Sequence, residues 1–492
     1  MSSQLNFLLN QAAHYIQGGN LSSANLLLKQ IIKIKPNHSE ALRLTAVILS
    51  QQGFHDEALE VIERAVLSDK RNGIAFSNKG NILLALDRTT EAIEIYKHGI
   101  NVTPNYAEAY SNLGNALQVD MNYREAIQCY KQALKIEPRN YEFMANLGNA
   151  YLRSGLYEEA AAIYQAVVYE NPGYFKVHFY LALAQLYLKN FQAGWHEYEF
   201  RWRSGEIDTK PLSTSKPVWN GQSFHGSLLV WAEQGLGDQI LHASILHELK
   251  NFPQKVIITV NKKLLPIFKR SFPDYEIFDK DNFVPEDRYD YHIPIGSLGN
   301  FFRNNIDDFD DSPRSYLIPS ENLISLHNPN QNMRNKKICG ISWRSSNRIV
   351  GPSKSMNLLG LSEILKLENF DFLNLQYGDT SCDLMEARNI GINITNISGI
   401  NLYEDLDYVL SLINSCDIVV TTSNSTAHMA GAIGKETILL LPYSIGAIWY
   451  WHDIQDISLW YPSIKIFKQE KQGDWSRPVD AAKAYLEHRF AI

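Results

Sequence analysis

The residues best suited to chemistry lie in short loops that each follow an apolar, strand-like run. Residues 228–240 read LLVWAEQGLGDQI, an apolar run entering Gln234-Gly235-Leu236-Gly237-Asp238 and leaving as a helix. Gly235 and Gly237 let the backbone turn tightly and approach a ligand. Asp238 falls at the helix start, where a carboxylate can cap the helix. It can equally take the proton of an attacking hydroxyl, as an inverting sugar transfer requires. His242 follows at i+4 on the same face, to assist or to pack.

Residues 418–434, IVVTTSNSTAHMAGAIG, repeat the design. A β-branched strand passes through Ser423-Asn424-Ser425-Thr426 into a helix of small residues. The unpaired first-turn N–H groups, the positive end of the helix dipole and the hydroxyls make an anion site, with His428 in the same turn. The plainer alternative is a strand–turn–helix with a polar N-cap. A third strand ends in Ser342-Trp343-Arg344-Ser345-Ser346, followed by Arg348 and Lys354. These donors and cations suit the charge of a departing nucleotide. Gln376 and Tyr377 end another strand, to touch base or ribose or to pack the sheet end. No DxD-type or His/Asp metal spacing stands out, so a metal-independent route is expected. Asp307, Asp308, Asp310 and Asp311 read as a solvated loop. The glycine loop is neither a GxGxxG fingerprint nor a Walker loop.

Alternating strands and helices must position these loops. Strands are expected at 227–232, 255–260, 275–279 and 289–294. More are expected at 338–343, 372–377, 394–397, 418–422, 437–441 and 464–468. That order indicates βα units with parallel sheets. A polar, Pro-bearing passage (305–337) separates two halves, 227–325 and 335–475, and a C-terminal helix occupies 476–492. Ligands in such folds bind in the cleft at the carboxyl ends of the strands. Before them, the aromatic run Trp195, Tyr198, Phe200 and Trp202 leads into a segment, 204–226, that reads as a linker pinned to both neighbours.

Residues 1–203 carry a 34-residue period. Glu57-Ala58, Glu91-Ala92, Glu125-Ala126 and Glu159-Ala160 keep it, as do Tyr96, Tyr130 and Tyr164, and Gly80, Gly114 and Gly148. Pro104, Pro138 and Pro172 close each unit. The pattern resembles the tetratricopeptide repeat, a superhelix of antiparallel helix pairs. Asn78, Asn112 and Asn146 align, and so do Asn81, Asn115 and Asn149. On an inner face they form a ladder able to bond the backbone of an extended peptide, or they serve interhelix bonds. The ladder resembles that of the eukaryotic O-linked N-acetylglucosamine transferase.

Composition excludes other classes. A net charge of −7 without basic runs argues against nucleic-acid binding. Four scattered cysteines, with no CxxC pair, suit a reducing compartment. No leader and no spanning apolar run is read. A cytoplasmic protein is expected.

The whole chain resembles bacterial proteins that join tetratricopeptide repeats to a GT-B-type glycosyltransferase domain similar to heptosyltransferases. Flagellin glycosyltransferases are among them. The most specific segments are GWHEYEFRW (194–202), VWAEQGLGDQI (230–240), ISWRSS (341–346), NSTAHMAGAIGK (424–435) and WYPSIKIFKQ (460–469). The resemblance implies an α-solenoid followed by a GT-B fold of two Rossmann-like α/β domains. It implies a nucleotide-sugar donor bound mainly by the second half, with its phosphates on the helix start holding Ser425, Thr426 and His428, Lys354 as the family lysine and Asp238 as base. Gly235, Gly237, Trp343, Arg344, Ser345, Gln376 and Asn424 are the further donor contacts expected from the loops themselves. Relatives often carry an Asp five residues before the His, where this chain has Ser423. The expected reaction is inverting transfer, without cofactor, to Ser or Thr of a protein bound by the repeats, with flagellin as one such acceptor. A lipid or polysaccharide acceptor, and a scaffold that has lost catalysis, stay open. CMP-linked nonulosonic acids, UDP-hexosamines and ADP- or GDP-sugars all fit.

Overall fold

The computed structural model describes residues 2–251, 255–310, 313–323, 336–347, 351–397, 399–443 and 447–490. Arg348 and Asp311 lie outside them. The chain divides into two compact units, Met1–Pro172 and Gly173–Ile492.

The first unit is a run of helices, α1 (Ser2–Gln17), α2 (Leu21–Ile34), α3 (Ser39–Gln51), α4 (His55–Ser68) and α5 (Gly73–Ala85). It continues with α6 (Thr89–Val102), α7 (Ala107–Val119), α8 (Tyr123–Ile136), α9 (Tyr141–Arg153) and α10 (Tyr157–Glu170). The periodic residues explain the pairing. Ala58, Ala92, Ala126 and Ala160 are fully buried where paired helices touch. Gly, Tyr and Asn form one interaction per unit. The Tyr130 ring lies on Gly114, where an added methyl would sit 2.7 Å from Cε1. Its hydroxyl donates to Asn115 Oδ1 at 2.6 Å. Tyr164 treats Gly148 and Asn149 alike (2.6 Å), as Tyr96 does Gly80 and Asn81.

The interhelix reading thus holds for the carbonyls of one asparagine row. Asn81, Asn115 and Asn149 use their carbonyls to tie the two helices of a repeat together. In the other row, Asn112 Nδ2 donates to Ser77 Oγ at 3.0 Å. Asn78 Nδ2 is buried with no hydrogen-bond partner among the described residues, and Asn146 is half-buried.

The second unit begins with α11 (Phe175–Tyr187), α12 (Phe191–Tyr198) and α13 (Arg201–Ser204). The first two continue the period, yet the unit boundary falls before them and not at 203. Leu186, Phe191, Trp195 and Tyr198 are buried in the same core as Leu228, Val230, Ile240 and Trp460. Trp195 Nε1 donates to the Arg303 carbonyl at 2.7 Å.

The first sheet is parallel, with β1 (Ser227–Trp231), β2 (Lys255–Val260), β3 (Glu276–Asp279) and β4 (Tyr291–Pro294) in the order β3-β2-β1-β4. The second contains β5 (Lys337–Ser342), β6 (Phe370–Asn374), β7 (Ile394–Thr395), β8 (Ile418–Thr422) and β9 (Thr437–Leu441). It also holds β10 (Asp453–Ile454), β11 (Ile457–Ser458) and β12 (Ile464–Lys468). Its order is β10-β11-β12-β9-β8-β5-β6-β7, parallel from β12 to β7. The connection order reverses between β5 and β8, and a crevice at their carboxyl ends is where such sheets bind ligands. The expected strand at 372–377 sits earlier, at Phe370–Asn374, because Gln376 turns inward to bind a neighbouring loop. The β10–β11 hairpin is an addition, turned by Gln455 and Asp456 with φ of 51° and 65°.

One buried network joins α13 to the first sheet. Arg201 is fully buried, stacked 4.5 Å from the Tyr198 ring centroid and 4.3 Å from that of Trp202. It grips Glu233 with two bonds, Nε to Oε2 at 2.9 Å and Nη2 to Oε1 at 2.8 Å. Ser297 Oγ accepts from Nη2 at 2.8 Å, and Glu233 accepts the Gly296 N–H at 3.0 Å.

Two outcomes follow from this packing. In the full chain, Gly114→Ala should cost the repeat unit about 1–3 kcal/mol through overpacking, read as an earlier helical transition by circular dichroism in urea. An unchanged transition would mean that the Tyr130 ring moves aside freely. Arg201 Nη1 also donates to Glu199 Oε1 at 3.1 Å, so Glu233→Gln, which removes the two-bond partner but not this one, should cost the second unit about 1–3 kcal/mol. Tryptophan fluorescence in urea checks this, and a loss below about 1 kcal/mol would show that Glu199 and Ser297 suffice.

Candidate active site

A cavity of about 540 Å³ opens within the second unit, where the loop after β1 faces the loops after β5 and β8. Of the residues singled out from sequence, Gly235, Gly237, Asp238, His242, Ser345, Lys354, Asn424, Ser425 and His428 line it.

The first loop is shaped by its neighbours. Gln234, not a glycine, takes the left-handed conformation, with φ of 59°. Its side chain donates to the Tyr198 hydroxyl at 2.6 Å, so the strain is held in place from α12. The helix α14 (Leu236–Ala243) then starts, and Asp238 Oδ2 reaches back to accept the Gly235 N–H at 3.0 Å. Gly237 is small for contact rather than for turning. A methyl there would meet His428 Cδ2 at 2.8 Å, so α14 and the helix Ser425–Ala432 touch at the cavity floor.

The electrostatics set a carboxylate against a cation. Burial pushes the Asp238 carboxyl above its usual range, opposed by its bond to Gly235 and by the charge of Lys354. Burial lowers Lys354 to about 8, with Asp238 acting to raise it. Lys354 is 5% exposed, and among the described residues it forms no ion pair within 4 Å. A buried, unpaired ammonium is costly in a closed protein and suited to an anion in an open cavity.

Both cavity imidazoles are held neutral. Burial brings His242 to about 3, helped by the Arg201 charge, and its ring is enclosed by Trp195 and Trp460. Of the two parts read for His242, to assist or to pack, this enclosure fits packing. Burial, Lys354 and His242 bring His428 to about 3 as well. Its Nδ1 pairs with the Tyr461 hydroxyl at 2.9 Å, which fixes the ring among Tyr450, Trp451 and Tyr461.

Several expected ligand contacts are instead structural. Trp343 is a fully buried core side chain. Arg344 turns to Asp383 (2.9 Å) and the Asp379 carbonyl (2.8 Å), away from the cavity. Gln376 Oε1 accepts from Ser342 Oγ, Trp343 N and Arg344 N, at 3.1, 2.8 and 2.7 Å, and so clamps the loop after β5. Asn424 caps its own helix, with Oδ1 accepting from Thr426 N at 3.0 Å and Ala427 N at 3.3 Å. Its Nδ2 donates to Ser342 Oγ at 2.9 Å. The cap occupies two of the N–H groups expected to meet an anion, and Thr426 is buried below the cavity wall. Ser345, Ser425, Lys354 and His428 line the cavity. Ser423 Oγ accepts from Trp451 Nε1 at 2.8 Å. Among the described residues, no group of three or more His, Cys, Asp or Glu is placed to hold a metal.

Sequence reading missed two parts of this site. The Arg201–Glu233 pair lies in the recognised segments, but charge type alone does not reveal a partner thirty-two positions away. Tyr450 lies in a stretch that reads only as apolar, although its Trp-Tyr-Trp-His run is a signal for an aromatic site wall.

Comparison with known proteins bears mainly on the repeats. Residues 9–69 and 111–175 match the tetratricopeptide repeat family, and residues 80–118 match a TPR repeat family. Over 306 residues the chain is 28% identical to Protein FlbA of Caulobacter vibrioides, a match covering 57% of this chain and 50% of that protein. The match thus spans about half the length of that curated relative. Among solved structures, a thermophilic TPR protein of Thermus thermophilus is 23% identical, with a TM-score of 0.34, covering 37% of this chain and 99% of that one. Pseudomonas aeruginosa PilF is 17% identical, with a TM-score of 0.37, covering 40% and 89%. A MamA protein is 22% identical, with a TM-score of 0.30, covering 35% and 94%. No helix of the described residues is long and apolar enough to cross a membrane. The N-terminal segment is an array of tetratricopeptide repeats.

Proposed function

We propose that the second unit is an inverting glycosyltransferase of GT-B type, its two sheets forming two Rossmann-like halves around a nucleotide-sugar, and that the repeats recruit a protein acceptor. The observation that carries this reading is the opposition of Asp238 and Lys354 across one cavity at the strand carboxyl ends. A carboxylate with a raised pKa is a stronger base than an exposed one. Asp238 takes the proton of a Ser or Thr hydroxyl as its oxygen bonds to the anomeric carbon. The bond from that carbon to the phosphate oxygen breaks, and the electron pair leaves with the nucleoside phosphate. Lys354 neutralises that charge, with Ser345, Ser425 and His428 as hydrogen-bonding neighbours. Ser423 in place of an acid leaves proton transfer to Asp238. Flagellin is the acceptor that the sequence resemblance favours.

Asp238→Asn should lower transfer at least about 100-fold while leaving nucleotide binding intact, read by mass spectrometry of a co-expressed acceptor and by thermal shift. Transfer at the wild-type rate would remove Asp238 from the mechanism. Because Lys354 titrates near 8, kcat/KM for the donor should fall as pH rises through 8 and the ammonium is lost. Lys354→Arg, whose charge persists, should abolish that limb, and a limb retained in the variant would assign it to another group.

A further inference from the structure

Tyr450 is a polar residue of the cavity that no step above uses. It is 7% exposed and lines the cavity. Its ring packs edge-on against His428, with centroids 5.1 Å apart, and against Trp449 and Trp451, each at 5.5 Å. Those contacts fix the ring, while the hydroxyl makes no hydrogen bond to any described residue. Tyr450 lines the cavity, so a hydrogen-bond partner for its hydroxyl can be supplied from outside.

Its place between the two chemical poles says what that partner is. The ring touches His428, on the anion side. Asp238 lines the same cavity, and after burial its charge helps to raise the phenol. In an inverting displacement the base and the leaving phosphate act on opposite faces of the anomeric carbon, so the transferred sugar occupies the space between them. We infer that Tyr450, backed by Trp449, forms the subsite for the transferred sugar and hydrogen-bonds one of its ring substituents. The inference rests on the transferase reading. A neutral phenol both donates and accepts, which suits a sugar hydroxyl or an N-acetyl group, and the flanking indole offers an apolar face to the ring.

Tyr450→Phe removes only the hydroxyl, so the ligand-free melting temperature should be unchanged. Wild type and variant are titrated with UDP, ADP, GDP and CMP, and with UDP-N-acetylglucosamine and the ADP-, GDP- and CMP-sugars. The variant should bind the bare nucleotide as the wild type does, and should bind its sugar-bearing form about tenfold more weakly. Equal affinity of both proteins for the sugar-bearing form would overturn the subsite while leaving the transferase reading in place. So would an equal loss for the bare nucleotide, which would put Tyr450 on the phosphate or base. Absence of binding by any nucleotide in the wild type would overturn the transferase reading and this subsite with it.

Discussion

Arg201 and Glu233 hold the second unit to its purpose. Removing both charges from water is expensive, and the pair is stable only because its geometry is complete. Two parallel bonds, the Ser297 hydroxyl, the Gly296 N–H and two aromatic faces satisfy nearly every direction of charge. Glu233 is the residue before Gln234, whose left-handed backbone turns the chain toward Asp238. The segment that ends the helices therefore fixes the first loop of the sheet. The Tyr198–Gln234 bond does the same from one residue further along.

The cavity beside that loop works by unequal solvation. Burial at its walls holds both imidazoles neutral and weakens the ammonium of Lys354. The same walls raise Asp238. A low-dielectric surrounding strengthens each remaining electrostatic contact, so two charged side chains carry more weight there than a larger number would on an open surface. The clamps at Gln376 and Asn424 keep both polar loops in place without exposing further charge.

Much of the fold was legible in the sequence, because periodicity reports it directly. The 34-residue step located the repeats, and apolar runs located every long strand. Residues within one motif were also legible: Asp238 with its loop, Ser425 and His428 with theirs. Roles that depend on distant partners were not. Gln376 and Arg344 carry the right functional groups for a nucleotide, and only the fold shows these groups engaged by the loop after β5 and by Asp383. The asparagine rows left two readings open for the same reason, and the fold shows an interhelix bond from Asn115 to a tyrosine fifteen residues on. The β10–β11 hairpin turns on Gln-Asp, without the Asn-Gly signal that marks such turns.

The contact of Gly237 with His428 has a mechanical meaning. It leaves no room for even a methyl group between helices that belong to different sheets. Such a contact works as a fulcrum. If one sheet rotates against the other about it, groups beside the contact keep their spacing, while groups farther from it sweep through the longer arc. Small angular changes are then amplified with distance and leave the groups beside the contact in register.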